Sequence, residues 1–272
     1  MLVRNRDVRS SDYGAFSDLF RPGHADYTYY QKYGLAPQPG GGRSSGRETV
    51  GRVAAGAVAR VILKDVGIRI QSCTLRIGIV QADLIDYDYA DTNPLRCPDP
   101  EKTPDMERVV EAARAEGDSV GGIVQVIADG VPPGLGDPVF SKLDAMLGGA
   151  MLSIGAVKGI EFGAGFAAAG MRGSESTDHM TSEGFLSNHA GGVLGGISTG
   201  QPIVMRLAVK PTPSISKPQQ TIDMDGHDQT ITIEGRHDPC ICPRIGPVAE
   251  AMTACTLADC LLQQTAARGS TR

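Results

Sequence analysis

Residues 40–56, GGGRSSGRETVGRVAAG, run a glycine-rich loop straight into a helix and fix where this chain can turn and which face it can bury. Ser45-x-x-Glu48 reads as a capping box, with the serine closing the first turn and the glutamate reaching back to it. Behind it Val50, Val53, Ala54, Ala57, Val58, Val61 and Ile62 recur at i, i+3, i+4 and i+7. That period predicts a helix over 47–65 with these residues as its buried face. A helix N-terminus leaves N–H groups unpaired and carries partial positive charge, so it suits an anion. Arg43 and Arg47 add forked, charge-assisted donors that match phosphate. Two readings fit the junction: a phosphate-binding helix entrance, or a flexible glycine linker ahead of an ordinary capped surface helix.

Composition narrows the classes. The 272 residues are 41% hydrophobic, enough for a sizeable core in one large domain or two. The formal net charge of −5 offers no basic field for nucleic acid or an anionic membrane. Aromatics are 5% and Trp is absent, which argues against a stacking groove for single strands. No apolar run reads as a membrane span, since even residues 54–63 are broken by Arg60. The start, MLVRNRDVRSS, has no apolar secretory core. The six cysteines (Cys73, Cys97, Cys240, Cys242, Cys255, Cys260) lack paired CxxC spacing, which predicts reduced thiols in the cytoplasm. Cys240-x-Cys242 after His237 lacks a fourth ligand, so no metal is expected.

Along the chain, residues 1–42 read as a loop-dominated active-site segment. After the 47–65 helix come a strand over 68–80, a turn-rich loop over 86–103, and a helix from Thr103-Pro104-Asp105 to about Glu116. A strand over 120–128 precedes a helix over 138–154, read as core or subunit interface. Strands are expected over 157–162, 164–171 and 203–209, and a hairpin over 221–224 and 229–233. The last helix is expected over 247–264. Residues 172–201 are polar and glycine-rich, a length of loop that is usually functional. The acidic run 83–91 reads as a solvated loop, and His179 and His227 as solvent-exposed. The segments do not alternate as in a doubly wound sheet, and neither a Walker A loop nor a dinucleotide fingerprint is present.

Several motifs, in order and nearly end to end, resemble one family. They are RPGHADYTYYQKYG at 21–34, GGGRSSGRETVGRVAAGA at 40–57, GDSVGG at 117–122 and GVPPGLGDPVFSKLDA at 130–145. SIGAVKGIEFGAGF at 153–166, SNHAGGVLGGISTGQPI at 187–203, KPTPSI at 210–215 and GRHDPC at 235–240 complete the set. Together they resemble chorismate synthase. The resemblance implies an α+β fold, a β-α-β sandwich with a helical layer between antiparallel sheets, forming one domain and assembling as a homotetramer. It implies a lyase that converts 5-enolpyruvylshikimate 3-phosphate to chorismate and phosphate with reduced FMN, a reaction without net redox change.

Residue by residue, the family's flavin contacts fall on Arg43, Ser44, Ser45, Gly155, Ala156, Gly195, Lys210, Pro211, Thr212, Pro213, Ser214 and Arg236. His24 corresponds to the family histidine given a proton-transfer role near the flavin. Asp238 corresponds to the acid that moves a proton at flavin N5. Arg21 and Arg47 are further candidates for anion contacts with the substrate, and His189 for holding the glycine loop. Two departures are visible: Gly155 stands where the family commonly has Asn, and the G-x-S-H-G segment is not found ahead of the first motif. That segment would carry a second histidine and most of any NADPH site. A catalytically inactive flavin-binding or assembly module is therefore the alternative expectation.

Overall fold

Five segments rich in β-branched and aliphatic residues pair as one antiparallel sheet in the computed structural model, which describes residues 3, 18–37, 39–233 and 237–269. In chain order the strands are β1 (Arg69–Ile77), β2 (Val80–Gln81), β3 (Gly122–Asp129), β4 (Val157–Phe162), β5 (Met180–Thr181), β6 (Gly184–Phe185), β7 (Val193–Leu194), β8 (Ile197–Ser198), β9 (Ile203–Val209), β10 (Gln219–Ile222) and β11 (Asp228–Ile231). The main sheet has the order β2-β1-β3-β9-β4; β5-β6, β7-β8 and β10-β11 are two-stranded. The helices are α1 (Asp26–Tyr33), α2 (Thr49–Lys64), α3 (Tyr87–Ala90), α4 (Thr103–Ala115), α5 (Leu143–Leu152), α6 (Gly173–Ser176) and α7 (Cys242–Arg268). This is an α+β fold built on antiparallel pairing.

In β9 only Ile203, Met205, Leu207 and Val209 are fully buried, the alternation of a strand with one core face. In β1, Ser72, Cys73, Thr74 and Leu75 are all buried, because both faces are covered there. On one face lies α7; on the other, the 86–99 loop, whose Tyr87 hydroxyl accepts from Gln125 (2.8 Å). Burial on both sides is why the alternation of β1 is imperfect in the sequence.

α7 is the central helix, packed against β1, β3, α5 and α2. By length and composition it could cross a membrane, yet it is a core helix here, with much of its surface inside the fold. Its buried Glu250 accepts from Ser72 Oγ (2.5 Å) and Arg96 (3.2 Å) and pairs with Arg60 of α2. A carboxylate placed there needs such partners, since burying it unpaired is costly.

α2 corrects the sequence reading. Its buried residues are Gly56, Ala59 and Leu63, while Val50, Val53, Ala54, Ala57, Val58, Val61 and Ile62 are not buried; Val58 is 56% and Val61 66% exposed. The period is right and the face is wrong. A Cβ on Gly56 would lie 2.4 Å from Cβ of Ala251, so the two helices meet through their smallest residues. The valine side of the helical layer is uncovered among the described residues.

Other boundaries move for local reasons. Residues 138–142 are not helical; a bridge between Asp137 and Ser141 folds them into a tight loop, and α5 starts at Leu143. Residues 165–170 form a 3-10 turn where a strand was expected, because Gly163 and Gly165 hold positive φ and Glu161 accepts from the Phe166 N–H. α7 begins five residues before Pro247, which sits inside its second turn. α1, within the segment read as loop, is held by Phe20 against the rings of Tyr27 (5.5 Å) and Tyr30 (5.3 Å).

Candidate active site

One end of the main sheet gathers the loops that matter. Ile77 pairs with Gly122, Gly122 with Val209, and Val157 with Val209, so β1 and β9 end where β3 and β4 begin. The 117–121, 153–156 and 210–214 loops therefore emerge side by side. The Lys210 N–H donates to the Ala156 carbonyl (3.0 Å), and Ser119 Oγ donates to the Thr212 carbonyl (2.6 Å). A Cβ on Gly121 would lie 2.4 Å from the Val209 carbonyl oxygen, so only glycine lets these backbones approach. Ala156 itself holds a φ of 73°, an uncommon conformation for a residue with a side chain.

The 20–26 segment docks onto this end. Lys210 Nζ donates to the Gly23 carbonyl (2.6 Å), and Phe20 N–H to the Ile222 carbonyl of β10 (3.3 Å). Gly23, at φ +68°, lies against Pro213. Asp26 is buried at the start of α1 and accepts from Arg21 Nε (2.7 Å), Arg21 Nη2 (2.9 Å) and His24 Nδ1 (2.8 Å). Burial pushes the Asp26 carboxyl up, but the bonds from His24 and Arg21 outweigh it and hold it well below the usual carboxylate range.

The third segment is 237–239. The Val120 N–H donates to the Pro239 carbonyl (2.7 Å), and Asp238 pairs with Arg244 of α7 (2.9 Å). Partial burial and then the Arg21 charge lower the His237 pKa, with Asp238 opposing them. The bond from Val120 to Pro239 sets this segment beside the 117–121 loop, which Ser119 ties to the 210–214 loop where the 20–26 segment docks.

The loop-to-helix junction lies alongside. Residues Pro39–Ser44 and Gly46–Glu48 form 3-10 turns ahead of α2, with Ser45 extended between them. Ser45 Oγ accepts from the Arg47 N–H (3.3 Å) and not from that of Glu48, so the serine half of the expected box closes the 3-10 turn one residue early. The other half does not form: both oxygens of Glu48 accept from Arg52 Nε (3.1 Å each). Arg52 Nη1 also donates to Ser153 Oγ (2.6 Å), tying the first turn of α2 to the residues just before Gly155. Arg43 and Arg47 are exposed; Ser44 and Ser45 are half-buried.

Of the residues singled out from the sequence, Arg21, His24, Gly155, Ala156, Asp238 and the five from Lys210 to Ser214 lie on segments that meet at this end, and Arg52, in the first turn of α2 behind the Arg43–Arg47 junction, reaches Ser153. Gly195 does not join them. It turns between β7 and β8, where the Gly196 carbonyl accepts from Leu143 N–H (2.8 Å), and the length of α5 separates it from Ser153. Arg236 lies outside the described residues. Sequence reasoning missed Asp26 and Asp178. The Asp178 side chain is 2% exposed and accepts from Ser187 Oγ (2.7 Å), the N–H groups of His189 (2.7 Å) and Ala190 (2.9 Å), and His189 Nδ1 (3.1 Å). Burial raises its pKa, yet these donors bring it down to about 2. His189 does hold the glycine loop, through this aspartate. His179 and His227 are exposed. Among the described residues, Asp223, Asp225 and His227 could approach a metal, but Asp223 is taken up by the N–H groups of Asp225 and His227 in the β10-β11 turn.

Thr212 Oγ1 is buried without a hydrogen-bond partner, and nothing described lies within 4 Å of the Cβ position of Gly155. Arg21 and Lys210 carry positive charge on the segments that meet at this end, Arg21 on Asp26 and Lys210 on the Gly23 carbonyl.

Comparison with known proteins adds the following. The chorismate synthase family model matches residues 1–262. A chorismate synthase of Syntrophobacter fumaroxidans is 56% identical over 262 residues, covering 96% of this chain and 75% of its own length. One from Desulfatibacillum aliphaticivorans is 54% identical over 268 residues, with 98% and 75% covered. A crystal structure of chorismate synthase is similar at a TM-score of 0.68 and 35% identity, covering 81% of this chain and 65% of the other. The chain thus spans three quarters of the length of these curated relatives and just under two thirds of that solved chain.

Proposed function

The chain belongs to the chorismate synthase family, and from that premise we propose that it acts as a lyase turning 5-enolpyruvylshikimate 3-phosphate into chorismate and phosphate. The observation that carries this reading is the meeting of the 21–26, 210–214 and 237–239 segments at one end of the sheet, with the capped helix entrance beside them.

Reduced FMN, when bound, supplies electron density to the substrate while the C–O bond to phosphate breaks. The residues that would hold it are Arg43, Ser44 and Ser45 at the helix entrance, Gly155 and Ala156, and Lys210 to Ser214 with the partnerless Thr212 hydroxyl among them. Arg21 and Arg47 offer charge to the carboxylates and phosphate of the substrate. His24, its Nδ1 taken by Asp26, offers Nε2 for proton transfer. Asp238 would take a proton once released from Arg244. We propose further that the chain works as a homotetramer: the bare valine side of α2 and the distance of Gly195 from the other candidate contacts both favour a neighbouring copy. The same two observations favour a second reading, a flavin-binding module that is inactive alone.

Complementation separates the readings. Expressed in a strain lacking chorismate synthase, an active chain restores growth; soluble, flavin-binding protein without growth selects the module. For the flavin site, Arg43→Ala should weaken FMN binding about 10-fold or more, the scale of a lost charge-assisted hydrogen bond. Unchanged affinity in a fluorescence titration removes Arg43 from the site.

A further inference from the structure

We propose that Asp26 is a positioning residue for His24, fixing the imidazole as the Nδ1–H tautomer so that Nε2 is the atom turned to chemistry. The inference deepens the reading of His24 as a proton-transfer group and rests on it. Asp26 is itself only 2% exposed on its side chain. Its Oδ2 accepts from Arg21 Nε (2.7 Å), while its Oδ1 accepts from both Arg21 Nη2 (2.9 Å) and His24 Nδ1 (2.8 Å). A carboxylate gripped by both arms of a guanidinium stays ionised and can only accept. Arg21 Nη2 stands 3.0 Å from the same ring nitrogen, yet it cannot claim Nδ1 as an acceptor while Nδ1 donates to Oδ1. The proton therefore belongs on Nδ1, and in the neutral ring the lone pair belongs on Nε2.

The spacing explains why this arrangement fits in six residues. Gly23 turns at φ +68° and His24 N–H donates back to the Arg21 carbonyl (3.1 Å). That turn folds Arg21 and His24 onto the first residue of α1, where a carboxylate also faces the positive end of the helix. Among the described residues no group bonds Nε2 of His24, and Lys210, bonded to Gly23, holds the turn against the candidate flavin loop. Asp26 orients and does not itself exchange protons.

Nitrogen-15 NMR of the full-length chain, with His24 assigned through a His24→Gln variant, tests this directly. With the ring neutral, the wild type should show a protonated Nδ1 and a bare Nε2, and Asp26→Asn should mix in the Nε2–H form. In steady-state assays Asp26→Asn should lower kcat about 100-fold or more while KM moves only a few-fold, as when a catalytic histidine loses its orienting carboxylate. A wild-type ring protonated at Nε2 overturns the proposal even if the variant fails to fold, as does an unchanged tautomer in Asp26→Asn. A His24→Gln variant with normal turnover would instead remove the proton-transfer reading of His24, leaving the tautomer result to stand by itself.

Discussion

Gly155 occupies a position with room for a side chain, and its φ is not in the left-handed region. Gly155→Asn should therefore leave unfolding free energy within about 0.5 kcal/mol of wild type, as for an unstrained surface change. It should also tighten FMN binding by adding an amide beside the candidate phosphate contacts. Weaker binding would mean the ligand backbone needs that space. At this scale the family motifs point to Arg21, His24, Lys210 and Asp238, whose segments the fold brings to one end of the sheet. Asp178 was not legible, because its partners Ser187, His189 and Ala190 lie nine to twelve residues away in a polar loop with no period to align them. Glu48 was misread because Arg52, four residues on, offers a charged donor to both its oxygens, which outcompetes a single backbone N–H.

Elements were legible in proportion to how one-sided their burial is. β9 was placed correctly over 203–209, since four alternate buried residues mark a single core face. The face of α2 was not, because hydrophobicity alone cannot tell that α7 approaches closely enough to exclude a Cβ. That closeness makes a prediction. Gly56→Ala should destabilise by about 1–3 kcal/mol through overpacking against Ala251, net of the roughly 1 kcal/mol that helix propensity returns. Urea unfolding reads the difference; a stabilised variant would show that the crossing relaxes freely.

For the whole molecule, buried carboxylates set the behaviour in acid. Asp26 and Asp178 both have pKa values below their ordinary 3.8, Asp178 at about 2. A depressed folded pKa contributes stability that is present above the unfolded value and lost as pH falls through the folded one. Melting temperature should thus drop as pH falls from about 4 toward 2. The deficit of Asp178→Asn relative to wild type should be largest near neutrality and close across that window. A deficit that stays constant would mean that the carboxylate is neutral in the fold.

The valine flank of α2 has a thermal consequence as well. In the proposed homotetramer, a copy seated over Val53, Val58 and Val61 would be held by apolar contact, with Arg60 already engaged by Glu250. Such contact weakens on cooling, because its driving force is entropic near room temperature. Assemblies of this chain should therefore fall apart in the cold and re-form on warming. Sedimentation velocity near freezing and at room temperature would show it, and Val58→Glu with Val61→Glu should abolish the difference by leaving the species small at both.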